Sequence, residues 1–327
     1  MHDAIGARRR TRALAVFSSL AIATWVGAAT EDHMPQVTEE THVYRTVDGH
    51  DVHADVYRAP GDDIRPALVY IHGGALIVGG RQWMRGSHRD MYLDAGYAVV
   101  SIDYRLAPET KLPDIIDDLK HAFAWIAENA EDTLRVDPAR MAVVGHSAGG
   151  YLTLMSGLVA EPAPLALISF YGYGDLVGPW YSEPDDFYRQ QELVAEADAR
   201  AAVGTDAISN GTGHDDRGKF YLWCRQQGVW PLEVGGADLA SLHAYCPERH
   251  VTAAYPTTLL LHGDEDTDVP YEQSVRMAAA LAAAGVDHGF VTIDGGGHGF
   301  EWDEDDAQVQ AALATVMQFL EAKLGAR

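Results

Sequence analysis

Gly145-His146-Ser147-Ala148-Gly149 stands between a short branched run at residues 141–144 and an alanine-, leucine- and methionine-rich stretch at residues 148–159. The first reads as a buried strand and the second as a helix, so Ser147 falls in the tight turn that joins them. Glycines on either side permit close backbone approach, and such a turn pushes the serine hydroxyl out at the strand end. Ser147 would also serve as a simple cap for the helix, so its meaning depends on what the rest of the chain brings to it.

Residues 67–71 and 97–102 are nearly continuous runs of branched and aromatic side chains, the pattern of parallel strands covered on both faces. Further strands are expected at 165–170, 257–261 and 290–293. Between 115 and 130, Ile116, Leu119, Ala122, Phe123 and Ile126 recur at helical spacing, and helices are also expected at 272–284 and from about 305 to 324. Such alternation calls for an α/β architecture with a parallel sheet and right-handed crossovers. Ahead of it, residues 42–47 and 51–57 flank Asp48-Gly49 and read as an antiparallel hairpin at a sheet edge, with 29–40 a surface lead-in. The core then comprises 41–175 and 256–327. Residues 176–255 break the rhythm with Trp180, Tyr181, Phe187, Tyr188, Phe220, Tyr221, Trp223 and Trp230, and are expected to form a cap inserted over a site.

A serine hydroxyl is a weak nucleophile and needs a base. His298 sits among Gly295, Gly296, Gly297 and Gly299, after the last expected strand, where a glycine loop can carry an imidazole across the strand ends. Imidazole, with an ordinary pKa of about 6.5, can take and return a proton near neutrality. An acid to orient it is expected in the segment after residue 261, where Asp266 is the choice over Asp264 and Asp268, giving the order Ser147, Asp266, His298. The alternating acids do not make a calcium loop, because Val269 stands where that loop needs glycine and Val275 where it needs glutamate. His72-Gly73-Gly74-Ala75 follows the run ending at Ile71, and the N–H groups of Gly74 and Ala75, with that of Ala148, are expected to form an oxyanion hole. His146 is assigned to packing or support, and His243, His250 and His288 to the structure or surface. Gly172, Gly174 and Gly178 lack the spacing of a dinucleotide fingerprint, and neither a cofactor nor a metal is expected.

Composition narrows the alternatives. The 327 residues are 47% hydrophobic and 22% charged, an ordinary globular balance. With 48 acidic against 24 basic residues the formal net charge is −24, which repels nucleic acid and anionic lipid; the expected partner is a small molecule. Arg8, Arg9, Arg10 and Arg12 precede an apolar stretch at 13–26 and small residues at 26–28, so residues 1–28 read as an export signal, too short to span a membrane comfortably. A secreted or periplasmic location follows, or a cytoplasmic one if that segment is not a signal. An oxidising compartment would permit the two cysteines, Cys224 and Cys246, to pair.

Together, His72-Gly73-Gly74-Ala75, the stretch Ser101 to Glu109, Gly145 to Gly150, His262 to Pro270 and Gly297-His298-Gly299-Phe300 resemble the α/β-hydrolase superfamily, in particular its hormone-sensitive-lipase-like and carboxylesterase branches, over about residues 40 to 325. The resemblance implies an α/β-hydrolase fold: a mostly parallel sheet of about eight strands flanked by helices, with a Ser147-Asp266-His298 triad. It also implies that Asp103 and Arg105 organise the sheet edge near the glycine loop. Ala75 departs from the glycine usual in the lipase-like pattern, and the insertion after the sixth strand is also similar to secreted aryl-ester and carbohydrate-ester hydrolases. The expected activity is serine-dependent hydrolysis of small to medium or aromatic carboxylic esters through an acyl-enzyme. Its rivals are a serine peptidase trimming short peptides and a binding module without catalysis.

Overall fold

Residues 37–236 and 238–325 are described by the computed structural model. The export signal expected at residues 1–28 lies outside them. Strands β1 (Thr38–Val47) and β2 (His50–Arg58) form the expected hairpin, turned through Asp48 and Gly49, both with left-handed backbone at φ 51° and 83°. Strands β3 (Arg65–Ile71), β4 (Ala98–Ile102), β5 (Val136–His146), β6 (Ala166–Phe170), β7 (Thr257–Gly263) and β8 (His288–Ile293) complete one sheet in the order β1-β2-β4-β3-β5-β6-β7-β8. Among the described residues only the β1·β2 and β2·β4 pairings are antiparallel.

Alternation along β3 shows how the sheet is covered. Ala67, Val69 and Ile71 face helices α2 (Leu112–Asn129) and α3 (Ala148–Val159), while Leu68 and Tyr70 share a cluster with α1 (Gly86–Asp94) and the last helix of the chain. Both faces are therefore buried, which is why these strands read as unbroken apolar runs.

Some boundaries differ from expectation. Thr38, Glu39 and Glu40 already belong to β1, although the lead-in was expected to run to residue 40; all three are exposed at the sheet edge, so no apolar pattern marks them. Helix α1 had no signal, because only His88, Tyr92 and Leu93 of its nine residues are buried. β5 begins at Val136, five residues before the apolar run, and reaches it after a register shift against β3 at Pro66/Ala67.

Residues 176–255 leave the sheet between β6 and β7 and hold helices α4 (Pro179–Ser182), α5 (Glu196–Ala201), α6 (Gly218–Gln227) and α7 (Trp230–Gly235). Tyr181 is sandwiched between Trp180 and Trp230, with ring centres 3.7 and 4.0 Å apart. The region docks on the core at the glycine loop: Trp230 Nε1 donates to the Ala75 carbonyl at 3.1 Å and Arg217 Nε to that of Ile77 at 2.8 Å. After β7, α8 (Glu272–Ala283) and α9 (Ala307–Leu324) close the core, and Asp306 caps α9 by accepting from the backbone of Gln308 and Val309.

The pairing expected of Cys224 and Cys246 is not formed: both are free, buried thiols. Cys246 Sγ is engaged locally, accepting from the Leu176 N–H at 3.4 Å and lying 3.4 Å from the Leu242 carbonyl, whereas Cys224 sits inside α6. Burial raises both thiol pKa values, that of Cys246 to about 11, so each behaves as a small apolar side chain. Among the described residues no helix is long and apolar enough to cross a membrane.

Candidate active site

The turn after β5 is forced by packing. A Cβ on Gly145 would fall 2.2 Å from the Gly149 carbonyl oxygen, and one on Gly149 would fall 2.0 Å from that of Ile71, so only glycine lets α3 start this close to β3 and β5. Ser147 is left at φ 57°, ψ −120°, a strained backbone for a residue with a side chain. Its hydroxyl makes no capping hydrogen bond to α3, which removes the helix-cap reading. Ser147 Oγ instead lies 3.1 Å from His298 Nε2.

His298 Nδ1 is 2.8 Å from Asp266 Oδ2. The two arrive on the loops that follow β8 and β7, which run parallel to β5, so all three side chains meet at one edge of the sheet. The Asp266 side chain is fully buried and held by its own loop, its Oδ1 accepting from the Asp268 and Val269 N–H groups at 2.8 and 2.9 Å. The other acids have separate work. Asp264 accepts from the Gly295 N–H at 2.6 Å, tying the two loops together. Asp268 Oδ2 approaches His298 Nε2 to 3.4 Å, and its Oδ1 accepts from Arg225 Nη1 at 2.7 Å and from the Tyr221 hydroxyl.

The glycine loop packs directly against this turn, since a Cβ on Gly73 would stand 3.3 Å from that of Ser147. Gly74, Ala75 and Leu76 all have positive φ, at 103°, 55° and 62°. Gly74 is irreplaceable there, because its Cβ would be 2.2 Å from the Val78 carbonyl oxygen. Ala148 opens α3, where the first N–H groups have no partner within the helix. Gly74 and Ala75 line, with Ser147 and His298, a cavity of about 340 Å³ that Tyr221 and Asp268 also reach. Asp103 takes the role that the resemblance implied, accepting from the Arg81 N–H at 2.7 Å just beyond the glycine loop, while Arg105 Nε binds Asp118 at 2.8 Å. His243 and His250 pair with each other outside the site, His250 Nε2 lying 2.8 Å from the His243 carbonyl oxygen, and His288 sits 2.9 Å from that of Val286.

A sequence profile for a family described as alpha/beta hydrolase fold matches residues 68–302. The chain belongs to the α/β-hydrolase family. Among curated proteins it is 28% identical over 317 residues to the non-reducing polyketide synthase Preu6 of Preussia isomera, an alignment that takes in 86% of this chain but only 14% of the synthase. Among solved structures, a protein of unknown function from Staphylococcus aureus Mu50 matches with a TM-score of 0.73 and 20% identity, over 88% of this chain and all of the other. A thermophilic esterase of Thermogutta terrifontis, also solved phosphorylated by paraoxon, matches with a TM-score of 0.64 and 22% identity over 88% and 93% of the two chains.

The charges in this α/β-hydrolase are tuned through His298. Burial disfavours its imidazolium, but the Asp268 charge and the Asp266 hydrogen bond and charge outweigh burial and raise its pKa above the ordinary 6.5. Burial likewise favours a protonated Asp266, yet hydrogen bonds from His262 and His298 hold it well below the carboxylate range, so it stays ionised. His262, 3.3 Å from Asp266 Oδ2, and Tyr171, whose ring centre lies 4.5 Å from that of His298, were not assigned roles from the sequence. Nor was Arg225. The i, i+4 spacing of Tyr221 and Arg225 on one helix was the available signal for the last.

Proposed function

We propose that this hydrolase cleaves carboxylic esters through an acyl-enzyme. The observation that carries the reading is the unbroken hydrogen-bonded chain from the Ser147 hydroxyl through His298, both at the wall of a cavity, to the buried carboxylate of Asp266 behind them. Ser147 Oγ attacks the ester carbonyl while His298 Nε2 takes its proton, and Asp266 fixes the ring and offsets its charge. The N–H groups of Ala148, Gly74 and Ala75 hold the oxyanion, each donor contributing about 3 kcal/mol. His298 then protonates the departing alcohol and, in the second step, activates the water that releases the acid.

A cavity of about 340 Å³, walled by Trp83, Tyr171, Tyr221 and Trp302, supports short or aromatic esters over long acyl chains. It lies near the lower end of the roughly 300–1,000 Å³ that ligand pockets occupy. Residues 176–255 act as the cap that supplies Tyr221 to this wall. In the same proposal residues 1–28 direct export; N-terminal sequencing of protein recovered from the medium or periplasm should start near residue 29, and an intact N-terminus there would refute it.

The test is a panel of aryl and alkyl esters, acyl thioesters and aminoacyl anilides, run with the protein and with Ser147→Ala. Short and aromatic esters should turn over fastest, and the substitution should lower kcat by about 10⁴–10⁶. Turnover unchanged by Ser147→Ala, or anilides outrunning esters, would overturn the reading.

A further inference from the structure

The triad needs one carboxylate, and the site holds two. Asp266 orients His298 from Nδ1, while Asp268 Oδ2 lies 3.4 Å from Nε2, the nitrogen that meets Ser147 Oγ at 3.1 Å. A second acid at the proton-transferring nitrogen favours the imidazolium already in the free enzyme, and so leaves less of the neutral base. It is nevertheless held firmly from residues 176–255. Arg225 Nη1 donates to Asp268 Oδ1 at 2.7 Å, the Tyr221 hydroxyl donates to the same oxygen, and the Tyr188 hydroxyl also bears on this carboxylate. Arg225 is itself 1% exposed and tied to Asp185 at 2.5 Å, so the carboxylate has little freedom to turn.

Unlike Asp266, Asp268 reaches the substrate. Its side chain is 19% exposed and lines the cavity with Ser147, His298 and Tyr221, whereas that of Asp266 is fully buried. A carboxylate offers about four acceptor sites, so the donors from the insertion leave capacity for one more. The reaction fixes what comes beside Oδ2. His298 Nε2 protonates the departing alcohol, so the leaving oxygen sits within about 3 Å of Nε2. Two heteroatoms on adjacent carbons in a gauche arrangement also stand about 3 Å apart. A leaving oxygen at Nε2 thus places a heteroatom on the next carbon against Oδ2, and the 3.4 Å between the two protein atoms matches the spacing of the pair. If that heteroatom carries a proton, it donates to the carboxylate in a charge-assisted hydrogen bond; an ether oxygen or a methylene there covers Oδ2 without supplying a donor.

We propose that Asp268 is a specificity-determining residue that accepts a hydrogen bond from the alcohol arm, so that the preferred substrates carry a donor on the carbon next to the ester-bearing one. Such substrates are monoesters of vicinal diols or of protonated vicinal amino alcohols. This rests on the ester-hydrolase reading and names the alcohol arm of that reaction.

The experiment measures kcat/KM near neutral pH on two matched pairs of butyrates. Ethylene glycol monobutyrate is paired with methoxyethyl butyrate, which keeps the oxygen without its proton. Dimethylaminoethyl butyrate, as its cation, is paired with butyrylcholine, which keeps the charge without the N–H. All of them form the same acyl-enzyme, so a difference within a pair arises in acylation, while the alcohol is still present. In at least one pair the donor-bearing ester should be faster by about tenfold or more, and the pair that shows it tells hydroxyl from ammonium. Asp268→Asn should cut that preference to about twofold, because Arg225 and Tyr221 draw the amide oxygen and leave the amide N–H facing the cavity; Asp268→Ala should do the same. Both variants change the charge beside His298, but the two members of a pair meet the same imidazole and the same folded fraction, so their ratio isolates recognition. Equal kcat/KM within both pairs, or a preference that either variant retains, overturns the proposal and leaves the hydrolase reading standing; no turnover of any ester sinks both.

Discussion

The loops that leave β5, β7 and β8 and the inserted residues 176–255 both reach His298, by different physics. In the loops the backbone decides. Gly145, Gly149 and Gly73 let chains approach where any Cβ would collide, and Asp266 is pinned by two N–H groups of its own loop. In the insertion, side chains decide. Arg225 is 1% exposed, its guanidinium lies 4.6–5.8 Å from the ring centres of Tyr188, Tyr181, Trp180 and Tyr221, and it joins Asp185 to Asp268. The first region sets which atoms can react and carries Asp268, whose charge the imidazole feels; the second holds that carboxylate in place through Arg225 and Tyr221.

That division can be broken most strongly at Asp266. Asp266→Asn keeps the side chain's shape but removes the charge that orients and supports the His298 imidazolium, and kcat/KM should fall about 10⁴-fold. A loss under tenfold would show that Asp268, not Asp266, supports the base. In the insertion the largest effect should be on stability. Arg225→Met removes the guanidinium that joins the Asp185 and Asp268 carboxylates among aromatic rings, and breaking such a buried pair costs about 3–5 kcal/mol, measurable by denaturant unfolding. A cost within experimental error would mean that this arginine is not what anchors the insertion.

Asp268→Asn probes the link between the two regions. His298 must be neutral to accept the serine proton, so activity falls as pH drops through its pKa, which stands above the ordinary value chiefly because of the Asp268 charge. Without that charge the acid limb of kcat/KM should move to lower pH. A limb that stays in place, or moves up, would show that the Asp268 carboxylate, which Arg225 and Tyr221 hold, does not tune the proton transfer. The smallest effect concerns Cys224 and Cys246: because the thiols are free, a reductant should leave the melting temperature unchanged. A fall would mean that they pair in solution.

The same contrast explains what the sequence made legible. Strands β3 to β7 could be located because a sheet buried on both faces leaves apolar runs, the β1–β2 hairpin because alternating segments flank Asp48-Gly49, and Ser147, Asp266 and His298 because each stands just beyond a strand in a glycine- or acid-marked loop. Asp266 was separable from Asp264 and Asp268 only as a choice; in the structure Asp266 meets His298 Nδ1, Asp268 approaches Nε2, and Asp264 binds the Gly295 N–H instead. Strand order, helix α1 and the Arg225–Asp268 contact had no periodic signal. Arg225 and Asp268 are 43 residues apart, and no local pattern announces a contact made by side chains across that distance.

The most direct test of the central claim is covalent. Incubation with paraoxon followed by peptide mass mapping should place a single phosphoryl adduct on Ser147, absent in Ser147→Ala and formed at least about a thousandfold more slowly in His298→Ala, because the hydroxyl then lacks its base. An adduct on another residue, or ester turnover that persists at full rate after Ser147 is modified, would contradict it.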